Sequence, residues 1–187
     1  MFNLDKKLIE NSYKKIIDSL GDYVDQKGVK DTPKRVANTY EELLSGYTAD
    51  IEKIINNALF DVEYDQIVIV KNIRFYSLCE HHILPFFGKI DIGYLPNQKV
   101  IGLSKIPRIT QAFSKRLQVQ ERLTEQIGKA IFENANALGA GVVINAQHMC
   151  SSMRGVNMPG TEMVTSSLFG TFKSDDATRN EFFELIK

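Results

Sequence analysis

Cysteine and histidine are scarce in this chain, with two of the first and three of the second in 187 residues. A secreted scaffold stapled by disulfides needs more cysteine than that. The expected setting is a reducing cytoplasm, where both thiols stay free. Long hydrophobic runs are missing as well. The longest aliphatic stretches, such as Ile67-Val68-Ile69-Val70, are far too short to span a bilayer. The start, Met1-Phe2-Asn3-Leu4-Asp5-Lys6-Lys7, has no apolar core of the signal-peptide kind. Neither sign of charge is in excess: 23 Lys and Arg balance 23 Asp and Glu, a formal net charge of zero. Bulk electrostatics therefore favour neither nucleic acid nor an anionic membrane, and any anion binding has to come from a local cluster. No internal repeat at solenoid periods and no low-complexity linker is visible.

Hydrophobic residues at 43% and charged residues at 25% suit a single soluble domain with a sizeable core. The scarce residues are gathered. Every histidine and cysteine falls in one of two segments, Cys79-Glu80-His81-His82 and His148-Met149-Cys150. Thiolate and imidazole together are what zinc prefers. Cys79 and His82 sit at a spacing that a tight turn folds onto one ion. His148 and Cys150 are two apart, which on a strand puts their side chains on one face and Met149 on the other. These candidates are too many for one tetrahedral ion; a closed structural site takes four, and a catalytic site takes three and leaves a position for water. The competing readings are a Cys79–Cys150 disulfide, unrelated core thiols, and histidines that are merely surface polar groups. Concentration in two clusters favours metal, and the local chemistry favours a catalytic over a structural site. Glu80 reads as a supporting or solvated carboxylate.

Apolar periodicity orders the rest. Leu4, Leu8, Ile9, Tyr13, Ile16, Ile17 and Leu20 recur at helical spacing before Gly21. Residues 22–31 form a polar connector. Thr32-Pro33 reads as an N-cap with proline at the first helical position, Gly46 as that helix's end, and 50–58 as a short helix. Residues 66–78 and 88–94 have strand character, Pro96-Asn97-Gln98 a turn, and Lys99–Leu103 a return strand. Ser104 caps a helix to about Leu117, and Leu123–Leu138 form a longer one closed by Gly139. Val142–Met149 and Met163–Phe172 read as strands, and Ser174-Asp175-Asp176 opens a final helix. Neighbouring strands on short turns argue for antiparallel pairing in an α+β fold.

Two further segments are polar in an organised way. Ser104-Lys105-Ile106-Pro107-Arg108 opens a helix, where free N–H groups favour phosphate and Lys105 and Arg108 add charge. Arg154 follows Cys150 closely, and Arg35 lies in the first turn of the Thr32-Pro33 helix. Solvated surface charge remains the alternative for all of these. Gln118-Val119-Gln120-Glu121-Arg122 reads locally as an exposed helix entrance. If it lines a pocket, Glu121 can accept two N–H bonds from an amidine-like edge such as guanine presents.

Phe75-Tyr76-Ser77-Leu78-Cys79-Glu80-His81-His82, Gly102-Leu103-Ser104-Lys105, Arg116–Thr124, His148-Met149-Cys150, Met153-Arg154-Gly155-Val156 and Val164-Thr165-Ser166 together resemble GTP cyclohydrolase I. The resemblance runs in register over residues 31–187, the expected catalytic domain, with 1–30 a generic N-terminal helix and connector. It implies the tunnelling fold, an α+β unit with an antiparallel sheet, helices packed on one face and an N-terminal helical segment. It also implies subunits joined into a ring-shaped barrel, a homodecamer with active sites at subunit interfaces. It implies zinc (Zn2+) held by Cys79, His82 and Cys150 with water in the fourth position. His81 and His148 are then left for proton transfer, with Ser104 near the ribose. GTP is the implied substrate, its base held by Glu121 and Gln120 and its triphosphate by Lys105, Arg108, Arg154 and Arg35. The implied reaction is attack of zinc-activated water on guanine C8, loss of formate, and rearrangement to 7,8-dihydroneopterin triphosphate, the first step of tetrahydrofolate and pterin biosynthesis. No nucleic acid or membrane enters. Two positions depart from the family pattern: Asn38 stands where a basic residue is expected in some members, and Pro107 where a smaller residue is usual. Other enzymes of the same fold, acting on pterins or deazapurines, and a non-enzymatic zinc module are the alternatives. The Cys-x-x-His plus His-x-Cys pattern argues against the first, and the polar residues at 104–108 and 118–122 against the second.

Overall fold

A computed structural model describes residues 3–56 and 58–187. Helices α1 (Lys6–Asp18) and α2 (Thr32–Leu43) pack together, with the Tyr13 and Tyr40 hydroxyls 2.8 Å apart. The cap position of α2 falls to Asp31, one residue before the expected Thr32, so that Pro33 sits in the first turn, where its missing N–H costs nothing. The short helix expected over 50–58 is α3 (Ile51–Asn56); residue 57 lies outside the described residues. Strands β1 (Leu59–Asp61), β2 (Val68–Cys79), β3 (Pro85–Leu95) and β4 (Lys99–Ile101) follow. Then come α4 (Lys105–Ser114), β5 (Leu117–Gln118), α5 (Gln120–Asn134), β6 (Gly139–His148), α6 (Met149–Ser152), β7 (Glu162–Gly170), α7 (Thr171–Ser174) and α8 (Asp176–Ile186). Among the described residues no helix is long and apolar enough to cross a membrane.

The α+β class stands. The main sheet has the order β5-β2-β3-β6-β7 and is antiparallel except where β5 runs parallel to the end of β2. The return of residues 99–103 onto 88–94 does not form. Both sides of β3 are already taken, Tyr94 facing Val68 on β2 and Ala140 on β6, so β4 pairs with β1 instead. The helix expected to close at Gly139 stops at Asn134, and Asn136 takes a left-handed φ of 49°. Gly139 opens β6 instead, against Thr171 and Phe172, where a Cβ would fall 2.4 Å from the Thr171 hydroxyl.

On one face of the sheet, Ile90, Ile92 and Tyr94 of β3 and Ala140, Val142 and Ile144 of β6 are buried with Leu123, Ile127 and Ile131, which line α5 at helical spacing. The other face is not bare. Gly93 and Gly141 lie opposite each other there, and a Cβ on either would come within 3 Å of the Phe182 ring of α8. Helices thus cover both faces at this end of the sheet, where a single helical face was expected. The alternation of apolar residues shows that a strand face is buried but not which element buries it.

Candidate metal centre

Strand β2 ends on Cys79, and the chain doubles back to β3 through residues 80–84. The Cys79 carbonyl accepts from Ile83 N at 2.8 Å and His82 N at 3.4 Å, while Cys79 N donates to Leu84 O at 2.9 Å. Ile83 pays for this tight loop with a left-handed φ of 55°. The turn brings the His82 Nδ1 to 3.9 Å from the Cys79 Sγ. Cys150 arrives from β6, whose last residue, His148, pairs with Phe86 beside the same turn. The strand ends at His148, one residue short of the expected Met149. One turn of helix, α6, begins at Met149, so His148 and Cys150 do not share a strand face.

The ligand atoms of Cys79, His82 and Cys150 all lie within 4.8 Å of one another. Both cysteines are free thiols, so the disulfide reading falls away. Burial, followed by the neighbouring Cys79 thiol, pushes the Cys150 thiol above its usual range, and the Arg154 charge opposes this. Two thiols facing each other in a partly dry site are poor hosts for a proton-free pair unless a cation neutralises both. Two sulfurs and one imidazole suit a borderline-soft ion, and three ligands leave one tetrahedral position open. His81 lies beside the group, exposed, its Nδ1 3.8 Å from the Cys79 Sγ.

Glu80 anchors the turn from outside. Its N–H donates to Gln118 O at 3.0 Å, and its carboxylate accepts two bonds from the Arg122 guanidinium of α5, at 2.5 and 3.0 Å. The Arg122 bond holds the Glu80 carboxyl below its ordinary range. Sequence reading missed this pair, because opposite charges 42 positions apart leave no local signal.

His148 stacks on Phe86 with ring centroids 4.8 Å apart and planes 6° from parallel. Its Nε2 lies 2.8 Å from the Gln120 Oε1. Burial lowers its pKa below the ordinary histidine value, against the pull of the Glu121 carboxylate. Glu121 is exposed at the start of α5, on a cavity of about 450 Å³ that Glu125, Ser166, Ser167 and Lys173 also line. Gln120 does not join it there. Its side chain is buried and its amide bonds to Ile144 O, Met163 O, the Thr165 hydroxyl and His148.

The basic residues are more dispersed. Ser104 is exposed at the cap of α4 in a helical conformation, and its side chain makes no capping bond, since capping by the hydroxyl needs an extended backbone there. Lys105 is half-buried, and Arg108 is exposed on a separate cavity of about 240 Å³ with Ser45, Ala49, Gln111 and Lys115. Arg35 is exposed on α2, and Arg154 follows α6. Among the described residues no hydrogen bond joins Arg35, Ser104, Lys105 or Arg108 to the metal group.

The family model for GTP cyclohydrolase I matches residues 9–187. GTP cyclohydrolase 1 of Campylobacter jejuni is 50% identical over 181 residues, covering 97% of this chain and 95% of that protein. GTP cyclohydrolase 1 of Leptospira biflexa is 50% identical over 179 residues, covering 96% and 98%. GTP cyclohydrolase 1 2 of Pseudomonas aeruginosa is 47% identical over 179 residues, covering 96% and 99%.

Proposed function

The chain belongs to the GTP cyclohydrolase I family and is a hydrolase of that family, and from this premise we propose the reaction and the residues that carry it. GTP is opened at guanine C8, formate is released, and the remainder rearranges to 7,8-dihydroneopterin triphosphate, the entry to tetrahydrofolate and pterin cofactors. The observation that carries the reading is the convergence of Cys79, His82 and Cys150 within 4.8 Å beside a partly buried, non-ligand His148.

In this reading Cys79, His82 and Cys150 hold zinc. When bound, zinc supplies a water activated near neutral pH for attack at C8. His148 delivers a proton to the imidazole nitrogen N7 and so draws electrons from C8. Glu121, exposed at the mouth of its cavity, accepts two N–H bonds from the guanine edge. Lys105 and Arg108, with the free N–H groups that open α4, hold the triphosphate together with Arg154 and Arg35. Ser104 and His81 carry protons in the ribose rearrangement. Residues 31–187 form the catalytic unit and 1–30 an appended helix and connector. The dispersal of Arg35, Lys105 and Arg108 away from the metal group favours sites completed between subunits of a ring, a homodecamer. The free thiols suit a reducing cytoplasm.

The test mixes reduced, purified protein with GTP and measures formate, pterin fluorescence after oxidation, and metal content. Turnover with about one zinc per chain is expected. Cys150→Ser should lose both metal and turnover, and His148→Ala should keep the metal and lose turnover. A zinc-loaded protein that leaves GTP intact would overturn the substrate, and full zinc retention in Cys150→Ser would overturn the ligand set.

A further inference from the structure

The Gln120 side chain is 1% exposed, and the direction of each of its hydrogen bonds can be worked out. Its Nε2 lies 3.1 Å from Ile144 O and 2.8 Å from Met163 O. Both are backbone carbonyls, which only accept, so the amide nitrogen must face them. Rotating the amide by half a turn would set its oxygen against two carbonyl oxygens inside the protein. The remaining neighbour agrees. Thr124 Oγ1 donates to Gln120 O at 2.7 Å, which uses its one proton. The Thr165 hydroxyl, 2.7 Å from Thr124 Oγ1, must then donate to it. That leaves a Thr165 lone pair toward Gln120 Nε2 at 3.1 Å. Every bond of this network then has a single consistent direction, with the two N–H groups of Nε2 shared among three acceptors.

The amide oxygen therefore points the other way, at His148 Nε2, 2.8 Å distant. An amide oxygen can only accept, so the proton of the neutral imidazole belongs on Nε2. Phe86 stacks flat on the same ring and fixes its plane. Among the described residues Nδ1 has no hydrogen-bond partner.

We propose that Gln120 is a positioning residue, one that holds His148 as its Nε2–H form so that Nδ1 is the nitrogen that exchanges protons with the reactants. The role of the exchange rests on the reaction proposed above; the tautomer does not. A proton enters the neutral ring at Nδ1 from the attacking water and leaves from Nδ1 to the substrate nitrogen. The ring ends as it began, and Nε2 keeps its proton throughout.

The experiment is solid-state NMR of the zinc-loaded protein labelled with 15N-histidine, His148 being identified by its disappearance in His148→Ala. The wild type should show protonated Nε2 and unprotonated Nδ1 for His148 without any substrate. Gln120→Met, similar in volume but lacking both amide functions, should give a mixture of the two tautomers. In that variant kcat should fall at least tenfold, against the ~10²–10⁴ that acid–base groups contribute, with zinc content and the KM for GTP unchanged. Thr165→Val, which disturbs the network one step away while leaving the amide oxygen in place, should keep the wild-type tautomer. A wild-type proton on Nδ1 overturns the proposal whether or not any variant folds. So does a Gln120→Met enzyme with unchanged kcat and raised KM, which would make the amide a base contact. If the protein leaves GTP intact while the tautomer is as stated, the proposed reaction fails and the positioning of His148 stands.

Discussion

Gly88 is where a single methyl group should do the most damage to both fold and site. It sits on β3 opposite Ala146 of β6, two residues along from the Phe86–His148 pair. A Cβ built there would lie 1.9 Å from the Asn145 carbonyl oxygen and 2.8 Å from the Ala146 Cα. Neither is the end of a flexible side chain; both belong to a hydrogen-bonded ladder, so the strands themselves must separate. Overpacking costs about 1–3 kcal/mol where side chains can give, and backbone that cannot give puts Gly88→Ala at the upper end, about 3 kcal/mol. For a chain of this size each kcal/mol moves the melting temperature by about 2–4 °C. The expected drop is then roughly 6–12 °C. The same displacement moves His148 against Gln120, so kcat should fall with stability. Gly21→Ala is the control. Its φ is +56° with nothing within 4 Å of the added Cβ, so it should cost only the left-handed backbone strain, about 1–2 kcal/mol, and leave turnover alone. Thermal unfolding and GTP turnover of both variants give the answer. If Gly88→Ala melts no lower than Gly21→Ala and turns over GTP normally, the β3–β6 register described above is wrong.

Tyr94→Phe removes a buried hydroxyl that accepts from Ile101 N at 2.9 Å; the orphaned N–H should cost about 1–3 kcal/mol in denaturant unfolding, and an unchanged midpoint would show that this bond does not hold the β1–β4 ribbon to the sheet. Asp175 caps α8, and its bonds from the Thr178 hydroxyl and N–H hold its carboxyl below the ordinary aspartate range. Its charge therefore stabilises the fold above that range, a contribution lost as pH falls through the depressed folded value. Asp175→Asn should melt below the wild type at neutral pH by a margin that shrinks in acid, and a margin independent of pH would refute the charge argument. Removing metal with a chelator should abolish turnover while helical circular dichroism persists, because the apolar core, which reaches Cys79 and Cys150, is made mostly of Ile, Leu, Val, Ala and Phe side chains that hold no metal; unfolding on chelation would make the site structural.

The metal group could be read from the sequence because its residue types are rare. With every cysteine and histidine in two segments, few combinations were open, and the turn geometry at Cys79–His82 is local. What could not be read depended on partners from elsewhere in the chain. Gln118 and Gln120 sit in a polar run that looks like an exposed helix entrance, yet both are buried. A buried amide is tolerated only when it finds partners, and those of Gln120 come from β6 and the first half of β7, which no local window contains. The geometry of Cys150 was missed for another reason. Alternation predicts where side chains point only while the strand lasts, and β6 ends one residue before Met149. The helix periods were plain, but the second helical face was hidden, because Gly93 and Gly141 carry no apolar side chain to announce Phe182.

Those two glycines bear on the site although they lie far along the strands from it. Strands β3 and β6 pair without interruption from Phe86–His148 to Leu95–Gly139. Shifting one strand by a single residue would exchange its two faces. Isoleucines now beneath α5 would then turn toward α8, where the Phe182 ring leaves less than 3 Å for even a Cβ at Gly93. The slip is blocked at that end by steric exclusion and midway along the ladder by the buried pair Ile90 and Ile144. Because the ladder is continuous, the same restriction sets which residue of β6 faces Phe86. It therefore fixes His148 on the Phe86 ring, places Gln120 against its Nε2, and delivers Cys150 to the turn that carries Cys79 and His82. Packing at the α8 end of the sheet is thus one cause of the geometry at the metal end, and the two cannot be varied independently by changes within β3 or β6.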